Sequence, residues 1–407
     1  MSGPPFKRIG PRPLGLHLGL SSSTLSSALA ALPLARENKI PWLDGLQEEA
    51  DALAEDLKSH DLAHLMQVVG ERAHFHVSEM LSGIKKYHAH PYQRAMEEPA
   101  LLHQVGAMRL LDYAPDAPSG SPIVFIVPSL VNRDYILDLM EGRSFVRALA
   151  AAGLRPILVS WGAPGDAEQS YNIEDYLLKQ LLPAFDVVCE ANQGQTIHML
   201  GYCMGGTLAV AAAQLRQSAL SSLITLASPW NFHADLGAAA KMFLSQKMLW
   251  SAVVEQQGSM PVDILQSFFA SLDPNLCLKK FGLFNRMDMD SQKAREFVAI
   301  EDWLNDGVPL ARRAAMDCFT DWYTDNRPYR GKWTVGGQTI NPEKLNIPVM
   351  IAVPKSDRIV PAASALGLAE QLSKPTVVTP PSGHIGMVVG RQAARGLWQD
   401  VIDWVTG

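Results

Sequence analysis

Ile197-His198-Met199-Leu200-Gly201-Tyr202-Cys203-Met204-Gly205-Gly206-Thr207-Leu208-Ala209-Val210 begins as an apolar strand end and finishes in small apolar residues suited to a helix. Glycines bracket one cysteine at the junction, which is the G-x-nucleophile-x-G pattern of a nucleophile elbow. A strand that turns at once into a helix holds that residue in a strained conformation, so its neighbours must be small. Gly201 and Gly205 supply the room. A helix starting near Met204 points free N–H groups and its positive dipole end at Cys203, which favours thiolate and can steady an oxyanion. A cysteine at such a turn is more often a small core hydrophobe, so a catalytic reading needs a base and an acid further along the chain.

Both follow. Ile347-Pro348-Val349-Met350-Ile351-Ala352-Val353-Pro354 reads as a short buried strand, and Asp357 lies just past its end. Thr376-Val377-Val378-Thr379 reads as the next strand, followed by His384 in Ser382-Gly383-His384-Ile385-Gly386. Nucleophile, acid, His is the chain order of α/β-hydrolases, each residue at the carboxyl end of a strand. In that architecture the loop Pro128 to Tyr135 carries the second oxyanion donor. The hole is expected to combine the Met204 N–H with a main-chain N–H of Leu130 or Val131. Asn132 and Arg133 are read first as residues that fix this loop.

The 407 residues are long for one core, and 47% hydrophobic with 19% charged residues is a globular composition. A net charge of −6 leaves no basic footprint for nucleic acid. Cys189, Cys203, Cys277 and Cys318 lack C-x-x-C spacing, so a zinc-finger pattern is excluded and free thiols in a cytoplasmic protein are expected. Lys7 and Arg8 precede an apolar stretch, Leu14 to Ala35, in the manner of a signal peptide. His17 and Ser21-Ser22-Ser23 interrupt it, and the expectation is a disordered lead and then a helix, with no transmembrane segment.

Between Trp42 and Met96, Leu46, Ala50, Leu53, Leu57, Leu62, Leu65, Met66 and Val69 recur at helical spacing, which predicts an N-terminal helical layer. His88 and His90 have no acidic or cysteine cluster near them in sequence and read as surface histidines rather than metal ligands. From about residue 104 strands alternate with helices: Met108–Tyr113, Ile123–Val127, Pro156–Trp161, the strand before Cys203, and Ser222–Leu226. That alternation predicts a mostly parallel, doubly wound sheet. Residues 231–341 break it with four helical stretches rich in aromatics. An insertion there is expected to be a cap, its aromatics forming the cap's own core or in part lining an apolar tunnel. The expected division is an extension over 1–95, a core of 96–230 with 342–407, and a cap over 231–341.

The elbow Gly201-Tyr202-Cys203-Met204-Gly205-Gly206 resembles the modified lipase box of polyhydroxyalkanoate synthases. Ile126 to Arg133 with Tyr135 to Leu139, Ser160 to Pro164, Asp175-Tyr176 and Ser382 to Gly386 are similar to other segments of that family's core. The resemblance implies an α/β-hydrolase fold and an acyltransferase that draws 3-hydroxyacyl units from coenzyme A thioesters onto Cys203. It implies His384 as general base and Asp357 as its orienting partner or, alternatively, as the group acting on the monomer hydroxyl. It also implies no metal or cofactor, a second subunit or second copy as partner, and the cytoplasm or a polyester granule surface as location. Arg358 replaces the family's usual His, and Asn231 its usual Asp. Two other readings stay open on sequence: a thioesterase or oligoester hydrolase in which water resolves the acyl-enzyme, and a non-catalytic granule-associated protein.

Overall fold

The structure, a computed structural model, describes residues 8–43 and 45–407. The chain divides into two compact units, one of residues up to Gln93 with Asp273–Asn305, the other of Arg94–Leu272 with Asp306–Gly407.

The larger unit is built on eight strands: β1 (Ala100–Val105), β2 (Met108–Asp112), β3 (Ile123–Val127), β4 (Arg155–Ser160), β5 (Ile197–Tyr202), β6 (Ser222–Leu226), β7 (Val349–Ala352) and β8 (Thr376–Val378). Their order across the sheet is β1-β2-β4-β3-β5-β6-β7-β8. β2 runs antiparallel to β1 and β4, and every other pairing is parallel. Strands β3, β5, β6 and β7 are buried along their whole length, which is why they read as unbroken apolar runs rather than alternating ones. Helix Met204–Arg216 follows β5 and is buried without a break from Met204 to Ala213. Only small and aliphatic side chains allow such a helix to lie at the centre of the layer. β1 was missed by the sequence reading because half of it is exposed and it begins on a weakly apolar segment.

The smaller unit holds helices Leu14–Arg36, Gln47–Lys58, Leu62–Ala89, Leu276–Asn285 and Gln292–Asn305. Met80, Ile84, Tyr87, Cys277, Phe281, Phe284, Ala294 and Val298 form its core, with Phe284 and Phe297 stacked at 4.3 Å. At Gly83 a Cβ would fall 2.7 Å from the Phe281 carbonyl carbon, so the two helices touch backbone to backbone there. The insertion therefore does not form one cap over 231–341. Its middle part, 273–305, completes the core of the N-terminal helices, because Phe281 and Phe284 bury themselves against Leu62–Ala89. Glu301 pairs with Lys280 at 2.7 Å, and Asp302 with Arg8 at 2.9 Å and the Tyr87 hydroxyl at 2.8 Å. These are structural uses of charged residues to which the sequence reading, which took the segment as a cap helix, gave no role.

One expectation is corrected in this unit. His90 is buried, not a surface residue: its Nε2 meets Met289 O at 2.9 Å and its Nδ1 accepts from Tyr92 N–H at 3.1 Å. No group of three or more metal-ligating side chains occurs among the described residues. The apolar stretch forms a single 23-residue helix, Leu14–Arg36, with Ser21-Ser22-Ser23 inside it. That helix has a mean hydropathy of 1.3 over its best window and is long and apolar enough to cross a bilayer by those two measures alone.

Candidate active site

Cys203 sits one residue beyond β5 with φ 56° and ψ −130°, a left-handed backbone that a non-glycine residue adopts only when its surroundings force it. Its N–H donates to Leu226 O on β6 at 2.9 Å, and its carbonyl accepts from Gly206 N–H at 2.9 Å. The three glycines are each demanded by a neighbour. A Cβ at Gly201 would fall 2.6 Å from Gly205 O. One at Gly205 would lie 2.5 Å from Pro128 O and closer still to Val127 O, and one at Gly206 would overlap Ser228. Gly205→Ala is therefore expected to cost roughly 3 kcal/mol or more, because the obstructing atoms are backbone and cannot swing away. A urea melt measures the loss, and an unchanged midpoint would contradict the close approach.

Asp357 and His384 arrive on the loops after β7 and β8, at the same carboxyl edge of the sheet as Cys203. His384 Nδ1 meets Asp357 Oδ2 at 2.7 Å, with both side chains almost wholly buried. Asp357 Oδ1 is saturated separately by the N–H groups of Ile359 and Val360, at 2.8 and 2.9 Å. With Nδ1 taken by Asp357, Nε2 is the ring nitrogen left to exchange a proton with Cys203. Burial works to lower the His384 pKa, yet the negative charge of Cys203 and the bonds to Asp357 and Cys203 together push it up to about 10. The arrangement thus favours the imidazolium form of His384. Tyr202, next to the nucleophile, lays its ring 5.2 Å from the His384 ring and donates its hydroxyl to His384 O at 3.2 Å.

The oxyanion loop leaves β3 at Pro128, where Trp161 Nε1 donates to Pro128 O at 2.9 Å. Met204 opens the nucleophile helix, and Leu130 turns its side chain into the core. The Val131 N–H already donates to Ser129 Oγ at 3.2 Å, so of the two loop candidates Leu130 has the less committed amide. Arg133 fixes the loop through an ion pair with Asp306 at 3.0 Å. Asn132 Oδ1 is buried without a hydrogen-bond partner, so its fixing role has no bond behind it. Tyr202 and Trp161 support the site but carried no local sequence signal, since their partners lie far away in the chain. Met204 is the one hole residue that the elbow pattern itself specifies.

A cysteine thiol, an imidazole and a carboxylate that orients it, beside helix-end amides, are the parts required to form and break an acyl thioester. Residues 122–390 match the sequence family described as the alpha/beta hydrolase fold. The chain is 30% identical over 314 residues to a poly(3-hydroxyalkanoate) polymerase subunit PhaC from Synechocystis, covering 75% of this chain and 83% of that protein. It is 28% identical over 307 residues to the subunit of the same name from Thiocystis violacea, covering 73% and 85%. With the Haloarcula marismortui protein of that name it shares 29% over 294 residues, 71% of this chain but 62% of the longer relative. Among solved structures, a thermostable carboxyl esterase from Bacillus coagulans superposes with a TM-score of 0.50 at 14% identity over 78% of this chain and 99% of the esterase, a likeness of fold.

Proposed function

The chain belongs to the poly(3-hydroxyalkanoate) polymerase family within the alpha/beta hydrolase fold, and from that premise we propose that it polymerises 3-hydroxyacyl units from coenzyme A thioesters on Cys203. The observation that carries this is a cysteine, not a serine, at the strained elbow, on the same carboxyl edge of the sheet as the buried His384–Asp357 pair. Thiolate attack on an acyl-CoA forms one C–S bond and breaks another, so the acyl-enzyme lies near the substrate in energy and stays reactive. Coenzyme A leaves as a thiol, taking its proton from His384. The hydroxyl of a second acyl group, deprotonated by His384, then attacks the thioester. A C–O bond forms, the C–S bond breaks, and the Cys203 thiolate is released.

This chemistry calls for no metal or cofactor. The same reading puts the enzyme in the cytoplasm at the surface of its growing product, with a second subunit or a second copy as partner. Leu14, Leu34, Met66, Val68 and Phe75, exposed on the N-terminal helices, support a life against an apolar surface.

The test is to incubate the protein with 3-hydroxybutyryl-coenzyme A, follow free thiol, and read the Cys203 peptide by mass spectrometry. Oligomers of hydroxybutyrate on Cys203 are expected. Free 3-hydroxybutyrate with one transient acyl group would make the protein a thioesterase instead.

A further inference from the structure

Pro229-Trp230-Asn231-Phe232 leaves β6, opens the long insertion, and is tied to three separate elements of the larger unit. Thr207 Oγ1, on the nucleophile helix, donates to Pro229 O at 2.7 Å. The N–H groups of Trp230 and Asn231 both donate to Ser364 O, on helix Ala362–Ala369 beyond the Asp357 loop, at 3.2 and 3.0 Å. The third tie reaches the far end of the insertion. Asn326, buried and at φ 50°, donates from Nδ2 to Asn231 Oδ1 at 2.9 Å and accepts the Phe232 N–H at 2.9 Å. Asn231 Oδ1 also accepts from His233 N–H at 3.2 Å, and a ring nitrogen of His233 lies 3.0 Å from Tyr323 O.

Asn326 closes a stretch, Cys318–Thr324, that is wound as π-helix. Such turns are rare and recur at functional sites, because widening a helix by one residue re-aims the side chains that follow. Here the turn carries Tyr323. Its ring stands edge-on to Phe232 at 5.1 Å and to Phe268 at 6.4 Å, and it packs on the same apolar cluster as Cys203. Burial raises the Tyr323 pKa and the charge of Cys203 raises it further, so the phenol stays protonated.

We propose that Tyr323 donates a hydrogen bond to the acyl group carried on Cys203, and that Asn231 and Asn326 are positioning residues, a neutral amide latch at the root of the insertion that sets where the phenol lies. This rests on the acyl-enzyme reading above and goes beyond it by naming what holds the acyl group. The latch is directional. Asn231 contributes only its oxygen, so Asn231→Asp keeps both acceptances. Asn326 uses both ends of its amide, so Asn326→Asp sets a carboxylate oxygen against Asn231 Oδ1.

The test uses the full chain and two substrates: p-nitrophenyl 3-hydroxybutyrate, whose burst reports acylation of Cys203 without coenzyme A, and 3-hydroxybutyryl-coenzyme A. Cys203→Ala is the blank for both. Tyr323→Phe and Asn326→Asp are each expected to slow acylation about tenfold, one good hydrogen bond's worth, while Asn231→Asp stays within about twofold of wild type. The double variant Tyr323→Phe with Asn326→Asp is expected to be no slower than the slower single, since both act through one contact. If Asn326→Asp fails to melt cooperatively, Asn326→Gly, which accepts φ 50°, takes its place in the cycle. A wild-type burst in Tyr323→Phe, or single effects that multiply in the double variant, would overturn the proposal. This ester pattern without coenzyme A thioester turnover would uphold the latch and refute the polymerase reading.

Discussion

Cys203→Ala loses acyl transfer by roughly 10⁵- to 10⁶-fold, the scale on which removing a covalent nucleophile acts when the rest of the site is left standing. The fold has no reason to change, because alanine is smaller than cysteine and the strain at φ 56° lies in the backbone. The same substitution has a second, independent readout. With the Cys203 charge and hydrogen bond gone, burial still disfavours the imidazolium, and only Asp357 remains to hold it. The His384 pKa should therefore fall from its raised value near 10, which the ring proton shifts in an NMR titration would record. The sign for stability follows from the same shift. A histidine raised above its unfolded value of 6.5 stabilises the wild type fully below about pH 6.5 and loses that contribution as pH climbs through about 10. The variant should show less of this alkaline loss. An unchanged His384 titration would mean that the thiolate and imidazolium are not coupled.

Asp357→Asn lowers kcat by about 10⁴-fold with little change in KM, because it reverses the histidine without moving it. Asparagine keeps Oδ1 for the N–H groups of Ile359 and Val360, so the loop stays in place. Its Nδ2 then meets His384 Nδ1 as donor against donor unless the ring switches tautomer, and in that tautomer Nε2 already carries a proton and cannot take one from Cys203. The variant also separates the two roles left open for the acid. Asp357 is nearly inaccessible and each oxygen is spoken for, which favours orientation of His384 over contact with a monomer hydroxyl. Slow acylation in a single-turnover experiment is thus the expected result. Fast acylation followed by a chain that does not grow would assign Asp357 to the hydroxyl instead.

The sheet was legible because its central strands are buried on both faces and therefore apolar throughout, and because glycines at an elbow leave a fixed spacing. Cys203, Asp357 and His384 could be named from their order relative to those strands. What could not be read is what depends on distant pairing. Asn231 looks like any loop asparagine until Asn326, 95 residues on, comes to meet it. The π-turn at Cys318–Thr324 resembles an ordinary helix in its periodicity, since one extra residue per turn is invisible over so short a span. His90 was misplaced for the same reason: the carbonyl it binds belongs to Met289. The division of the insertion was hidden because Phe281 and Phe284 have the same composition whichever core they join.

That division sets a timetable for synthesis. The core of the N-terminal helices is completed by residues such as Asn285, whose carbonyl meets Lys86 across 199 positions of chain. At ~5–20 residues per second, roughly 10 to 40 seconds pass between the emergence of these two partners from the ribosome. Through that interval Met80, Ile84 and Tyr87 are outside the tunnel without Phe281 and Phe284 to complete their cover, while β3, β4, β5 and β6 are already being made. The nascent chain thus carries an unfinished apolar surface for about half of its elongation, and chaperone capture or premature association would act there before Cys203 has its acid and base.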